Sequence, residues 1–408
     1  MAAELPGLQI PVPAARPGDT PDFSRIVFAP AGHVRRPLPD APESELRDLP
    51  YTLIRVLDDA GQAVGAWADG HDTAVLRRGL KAMLTTRLID DRLFRAHRQG
   101  KTSFYIKSTG EEAIPAAQAF VLGPDDMIFT SYRSLAWLMA RNYPLVDLFN
   151  QVFANAADPM KGRQLTILYS ARDHGFYSLS GNVGTRFGHA VGWAMAAAYK
   201  RSGRIALAHV GDGSSAEGAF HEAMTFASVY KPPAILCIVN NQWAISSFSG
   251  IAGGEATTFA TKALAYGVPG LRVDGNDFLA VVATTKWAVE RIRAGLGPTL
   301  MEFVTYRTAG HSTSDDPGRY RPADEAAHWP LGDPIERLKH HLTAIGEWSS
   351  ERHTQLEAEL TEKIRAAQKI SEAMGIFGKS RPNIAEMFEG VFKEPDWRIR
   401  EQRKELGV

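Results

Sequence analysis

Three observations predict an α/β protein built on a mostly parallel, doubly wound sheet. From Thr73 onward, segments of helical period alternate with short apolar runs bounded by turn residues. Two of those runs end in the turn motifs Gly211-Asp212-Gly213 and Asn240-Asn241. The composition is that of an ordinary folded chain: 408 residues, 44% hydrophobic and 23% charged. Its 46 basic and 46 acidic side chains balance, which removes the bulk electrostatic case for nucleic acid or an acidic membrane surface. The single cysteine, Cys237, cannot form an intrachain disulfide and fits a reducing compartment. The longest apolar run, 190–199, is about half of the ~20 residues that a membrane span needs. A cytoplasmic protein without a leader is therefore expected.

Ten of the 24 prolines fall within the first 50 residues, where no amphipathic period is visible. Residues 1–72 are read as an N-terminal arm, either a disordered tail or a segment docked on a neighbouring subunit. The arm ends in a short strand pair, 51–57 and 62–67, around the turn 58–61. Residues 73–333 form the α/β domain. Helices are expected at 73–99, 111–122, 134–142, 145–154 and 186–201, the last rich in small residues that let another backbone approach. A regular run follows: strand 205–210, helix 216–230, strand 234–239, helix 257–266, strand 271–273, helix 277–294 and strand 300–305. Beyond the loop 306–333, residues 334–408 form a charge-laced helical region with helices at 334–346 and 349–374. His340, His341 and His353 are placed on its solvated surface.

Ligands of such sheets bind outside the carboxyl ends of the strands, so the two turn motifs should face one crevice. Asp212 offers a hard anionic oxygen and Asn241 a neutral one, a set that suits Mg²⁺ when substrate phosphates complete the shell. Gly211 and Gly213 permit a sharp turn, and a helix starting near Ala216 would aim its N–H groups at the phosphate. Either motif alone is commonly just a turn. Paired on adjacent strand ends, they resemble the thiamine diphosphate enzymes.

The resemblance runs from about Ala74 to Arg321. Ser103-Phe104-Tyr105, Gly110-Glu111-Glu112, Ser131-Tyr132-Arg133, 161–164 (KGRQ) and Tyr306-Arg307 through 311–316 (HSTSDD) look like α subunits of 2-oxo acid dehydrogenase decarboxylase components. The HSTSDD stretch looks more like the branched-chain members than the pyruvate members, and the chain resembles bacterial branched-chain enzymes in particular. The resemblance implies the diphosphate-binding half of the fold, with thiamine diphosphate and Mg²⁺ as cofactors. Asp212, Asn241 and the carbonyl of Trp243 match the metal ligands. Tyr132, Arg133, Gly211, Gly213 and Ser214 match diphosphate positions. Ile245 and Gly181 match cofactor contacts, Val183 the support of the bent cofactor, and Phe104 a wall of the substrate pocket. His311 matches the family histidine that contacts the cofactor and assists acyl transfer. Mammalian members hold a monovalent cation near the positions of Ser180 and Thr185, but Arg186 stands where a neutral ligand is expected. Ser312 aligns with a mammalian phosphorylation site and is read here as an ordinary loop serine.

The carboxylate that activates the cofactor lies, in this family, in a second domain for which the chain has no room. The implied assembly is an α₂β₂ heterotetramer with a separate β subunit, acting on branched-chain 2-oxo acids and passing the acyl group to a lipoyl domain of a transacylase. Competing readings are a pyruvate or acetoin dehydrogenase α subunit, a non-catalytic scaffold, and an Mg²⁺-dependent nucleotide-binding protein. The last lacks a GxxxxGKS/T loop and a GxGxxG turn after a strand.

Overall fold

A computed structural model describes residues 8–408 except 9, 25, 69, 71, 380–382 and 391. Six strands form one parallel sheet: β1 (Leu53–Ile54), β2 (Met127–Phe129), β3 (Ala206–Gly211), β4 (Ala234–Asn240), β7 (Gly270–Asp274) and β8 (Thr299–Val304), in the order β1-β7-β8-β4-β3-β2. The short strands β5 (Trp243–Ala244) and β6 (Ser247–Phe248) form a separate antiparallel ribbon beyond the end of β4.

Burial along β4 shows why its sequence is continuously apolar. All seven residues are buried. Ile235, Cys237 and Val239 enter one core, and Ala234, Leu236 and Ile238 enter the other. Side chains alternate across a strand, so a strand covered on both faces needs apolar residues at every position. Helices α5 (Thr185–Tyr199) and α6 (Gly218–Tyr230) supply Phe187, Ala190, Ala194, Phe220 and Met224 to the smaller core. The larger core takes residues from α1 (Thr73–Arg98), α2 (Ala113–Val121), α3 (Leu135–Ala140), α4 (Leu145–Val152) and α7 (Phe278–Arg293). It also receives Ile335, Leu338 and Leu342 of α8 (Pro334–Ala344), and Ile364 and Ala367 of α9 (Ser350–Met374). Among the described residues, no helix is long and apolar enough to cross a membrane.

The structure corrects several expectations. The strand pair at 51–67 reduces to one antiparallel bridge, Leu57 to Ala63, while Leu53–Ile54 joins the main sheet beside β7. The backbone N–H groups of Val56 and Leu57 donate to the Asp277 carboxylate at 2.8 and 2.6 Å, which draws the chain out of any longer ladder. The segment 259–266 is a 3₁₀-helix rather than an α-helix. β2 and α10 (Trp397–Leu406) were not expected. From Phe23 onward the arm packs on the body of its own chain: Phe23 meets Trp329 edge-on at 5.3 Å, and Trp287 Nε1 donates to the Pro37 carbonyl at 2.9 Å. Residues 1–7 lie outside the described part. His341 is buried, not solvated, and its Nδ1 donates to the Gly61 carbonyl at 2.8 Å.

Asp277 joins the entry segment to the body. Besides the two N–H groups above, it caps α7 by accepting from Ala280 N at 3.0 Å, and Arg337 stands 3.5 Å away. Asp277→Ala leaves buried donors and part of a guanidinium without an acceptor. It should lower stability by about 3 kcal/mol, read from the denaturant midpoint at unchanged slope. A loss under about 1 kcal/mol would mean that water replaces the carboxylate.

Candidate active site

The two turn motifs meet outside the carboxyl ends of β3 and β4. A Cβ added at Gly213 would lie 2.5 Å from the Ala244 Cβ, so glycine is required there by the approach of the other turn. Gly211 has no such neighbour, and neither residue uses a left-handed backbone. The expected role of both glycines in bending the chain is thus corrected: one serves contact, and neither uses a glycine-only conformation. The strain lies in the partner turn, where Gln242 (φ 72°) and the β-branched Ile245 (φ 57°) adopt positive φ. Arg307 holds that turn. Its Nη1 donates to the Trp243 carbonyl at 3.1 Å and its Nη2 to the Ile245 carbonyl at 2.9 Å, while its own N–H donates to the Asn241 carbonyl at 3.1 Å.

Asp212 is 2% exposed and caps a 3₁₀ turn, Gly213–Ala216, by accepting from Gly213 N at 2.9 Å. Its other oxygen, Oδ2, is buried and has no protein partner. Burial, with Glu111 nearby, pushes its carboxyl up to about 7. A cation at Oδ2 would offset that burial and favour the ionised form. α6 starts at Gly218, after an extended Glu217, rather than near Ala216, so the 3₁₀ turn and not the α-helix abuts the motif. Asn241 is also buried; its Nδ2 donates to Glu111 Oε1 at 2.6 Å, which leaves Oδ1 as the free-facing end apart from a 3.2 Å contact to Trp243 N. Among the described residues no cluster of three or more His, Cys, Asp or Glu could hold a metal. One carboxylate, one amide oxygen and one carbonyl instead form the sparse oxygen set that Mg²⁺ accepts when phosphates supply the rest. The Trp243 carbonyl shares its lone pairs with Arg307.

The residues matched to cofactor, metal and catalytic positions line one cavity of about 520 Å³: Phe104, Tyr132, Arg133, Gly181, Val183, Gly211, Asp212, Gly213, Ser214, Asn241, Trp243, Ile245 and His311. Ile106, Glu111, Leu168, Arg186 and Glu217 line it too and were not assigned roles from the sequence. Glu111 was visible only as part of a GEE string. Gly110 explains that string: at φ 102° its missing Cβ leaves room for the Tyr306 carbonyl, which seats the 108–112 turn on the end of β8.

Arg133 is 4% exposed and spends its donors on protein: Nη1 on the Lys107 carbonyl at 2.5 Å, Nη2 on the His311 carbonyl at 2.8 Å, with Nε 3.5 Å from Glu111. Its Nη2 also stands 3.3 Å from His311 Nδ1. A guanidinium only donates, so that ring nitrogen accepts and the neutral His311 carries its proton on Nε2. Burial, then Arg133 and Arg307, pushes His311 down to about 4. His311 is therefore a hydrogen-bond donor at neutral pH and a weak base. Its main-chain N–H is fixed by Asp315 at 2.6 Å, and Tyr132 meets its ring edge-on at 5.9 Å. Beyond Tyr132, the Ser180 carbonyl accepts from Arg186 Nη2 at 3.1 Å, and Thr185 Oγ1 donates to Asn182 O at 2.9 Å. Polar groups that could face a small cation are thus engaged by the chain itself.

With this geometry in view, comparison with known proteins is decisive. A family model described as "Dehydrogenase E1 component" matches residues 80–378, and one described as "2-oxoisovalerate dehydrogenase E1 alpha subunit N terminal" matches residues 4–43. The chain belongs to the dehydrogenase E1 component family. Members of this family depend on thiamine diphosphate. The chain is similar to the 2-oxoisovalerate dehydrogenase subunit alpha of Pseudomonas aeruginosa, 52% identical over 98% of both chains. It is also similar to the mitochondrial 2-oxoisovalerate dehydrogenase subunits alpha of Bos taurus and Homo sapiens. Each is 34% identical over 87% of this chain, covering 77% and 79% of those proteins. The sheet expected from the strand pattern is thus found in a chain of the expected family.

Because the folded value for His311 lies below the ordinary ~6.5, the folded state binds fewer protons than the unfolded one between the two. Stability from this group falls as pH drops from about 6.5 toward 4. By NMR, the His311 ring should stay neutral down to about pH 5, and Arg133→Met should raise its midpoint. A midpoint unmoved by that change would remove Arg133 as a cause.

Proposed function

We propose that this chain is the cofactor-anchoring subunit of an enzyme that oxidatively decarboxylates branched-chain 2-oxo acids and hands the acyl group to lipoamide on a transacylase partner. The observation that carries the reading is the buried, half-partnered Asp212 carboxylate, pressed against the 241–245 turn in a cavity that also holds His311. Asp212 Oδ2, Asn241 Oδ1 and the Trp243 carbonyl would hold Mg²⁺, and Gly213 and Ser214 would face the diphosphate of thiamine diphosphate. That cofactor supplies the electron sink for loss of CO₂.

The chain's own residues shape the cavity around it. Phe104, Ile106 and Leu168 give the cavity an apolar wall that excludes water from the reacting end. Val183 and Gly181 bound its middle; a Cβ at Gly181 would meet only Leu168 at 3.8 Å, so this wall is open rather than tight. Arg133 fixes the tautomer of His311, whose Nε2–H can donate to an oxygen that gains negative charge. The carboxylates lining the cavity are Glu111, Asp212 and Glu217, and Glu111 is engaged by Asn241 and Arg133. A further acid for activating the cofactor would come from a β subunit in an α₂β₂ assembly. The single buried cysteine and the bacterial relative support action in the cytoplasm.

Two measurements test the reading. Asp212→Ala should weaken thiamine diphosphate binding at fixed Mg²⁺ by at least about a hundredfold, followed by quenching of tryptophan fluorescence, while circular dichroism stays unchanged. Equal affinity would sink the metal role. With the co-purifying partner, thiamine diphosphate and Mg²⁺, an artificial electron acceptor should be reduced faster by 3-methyl-2-oxobutanoate than by pyruvate. The reverse order would keep the fold and site but move the substrate assignment to the pyruvate enzymes.

A further inference from the structure

Arg186 presents a buried charge without a counter-ion. The residue is 3% exposed, in the first turn of α5. One donor, Nη2, reaches the Ser180 carbonyl, while Nε is buried with no acceptor at all. Among the described residues no carboxylate forms an ion pair with it; the nearby groups that favour its charge are Tyr132 and Glu217. Its guanidinium carbon lies 5.7 Å from the Tyr132 ring centroid. Arginine does not shed its proton in proteins, so this charge stays on whatever its surroundings cost.

The position of the guanidinium indicates what would complete it. Arg186 lines the same cavity as Asp212, Gly213 and Ser214. The loop before it lies against the side chain of Glu217, the residue that ends the 3₁₀ turn after Asp212, since a Cβ at Gly184 would lie 2.6 Å from Glu217 Oε2. Its charge is also felt by His209, two residues before Gly211 on β3. Arg186 therefore stands at the end of the cavity where the Gly-Asp-Gly motif lies. The other cavity arginine, Arg133, already spends its guanidinium on two carbonyls and Glu111.

We propose that Arg186 is a diphosphate-binding residue, the spare positive charge that answers the anion alongside the metal. This rests on the reading of the cavity as a thiamine diphosphate site. A guanidinium suits phosphate oxygens through charge-assisted, paired hydrogen bonds. A cavity that holds both an unpartnered carboxylate oxygen and a guanidinium without an ion-pair partner is complementary to a metal–diphosphate pair, in which each charge meets its opposite.

The test uses the assembled protein with its partner subunit and the variants Arg186→Gln and Arg186→Lys. Affinities are measured at saturating Mg²⁺ for thiamine diphosphate, inorganic diphosphate and unphosphorylated thiamine. Arg186→Gln should weaken the first two at least tenfold and leave thiamine unchanged, and Arg186→Lys should recover part of the loss. The ligand-free unfolding temperature should hold or rise, because an uncompensated buried charge has been removed. Thiamine diphosphate affinity within twofold of the parent, in a parent whose binding still needs Asp212, would overturn the proposal alone. A loss shared by thiamine, with a lower ligand-free unfolding temperature, would make Arg186 a structural staple and overturn it as well. A raised KM for the 2-oxo acid at intact cofactor affinity would assign the charge to the substrate carboxylate instead. If the parent itself fails to bind thiamine diphosphate, the reading of the cavity falls with it.

Discussion

The approach of Gly213 to Ala244 sets the geometry on which the rest of the cavity depends. Two turns from neighbouring parallel strands are brought within van der Waals contact, and one of them is strained at Gln242 and Ile245. Such a backbone persists only when its surroundings over-determine it. Arg307, 1% exposed, does so by donating to the Trp243 and Ile245 carbonyls, and its own carbonyl accepts from Arg321 at 2.8 Å. A chain of arginines thus fastens the loop after β8 to the turn after β4. The parallel register of β4 with β8, from Ile235–Thr299 to Asn240–Val304, brings the two strand ends level so that this clamp can close.

The cavity is costly to build, and its costs have a common sign. Asp212, Glu111, Arg186 and Arg307 are all buried, and burial shifts each of them toward its neutral form. A core optimised for stability would not gather such groups. Apolar strands covered on both faces, with Leu207, Ile235, Val273 and Phe303 in one core and Val210, Leu236 and Ile238 in the other, support this polar floor from beneath.

Much of this was legible in the sequence because it depends on local pattern. Strand period, helix period and the two turn motifs gave the sheet, its face-covering helices and the meeting of Asp212 with Asn241. The features that escaped depend on contacts distant in sequence. β1 pairs with β7 because Asp277, more than 200 residues away, takes its neighbours' N–H groups. His341 reads as one of several surface histidines until the Gly61 carbonyl, reached through the fold, buries it. β2 is three residues long and carries too little period to stand out. α10 has a capping aspartate, Asp396, whose carboxylate accepts from Ile399 N, and a left-handed terminal glycine, Gly407, but no buried face and so no apolar stripe from which to read a helix. Of the cavity residues, Arg186 shows best what sequence cannot give, since the same residue on a solvated helix end would need no partner.

The seat of the N-terminal arm ties a distant segment to the clamp. Phe23 rests against both Trp329 and Tyr306, with centroids 5.3 and 6.0 Å apart, Phe28 touches Trp329 as well, and Tyr306 directly precedes Arg307. The aromatic stack thus backs the strand end that carries Arg307. The arm thereby shares in the support of the clamp although its residues form no part of the cavity lining.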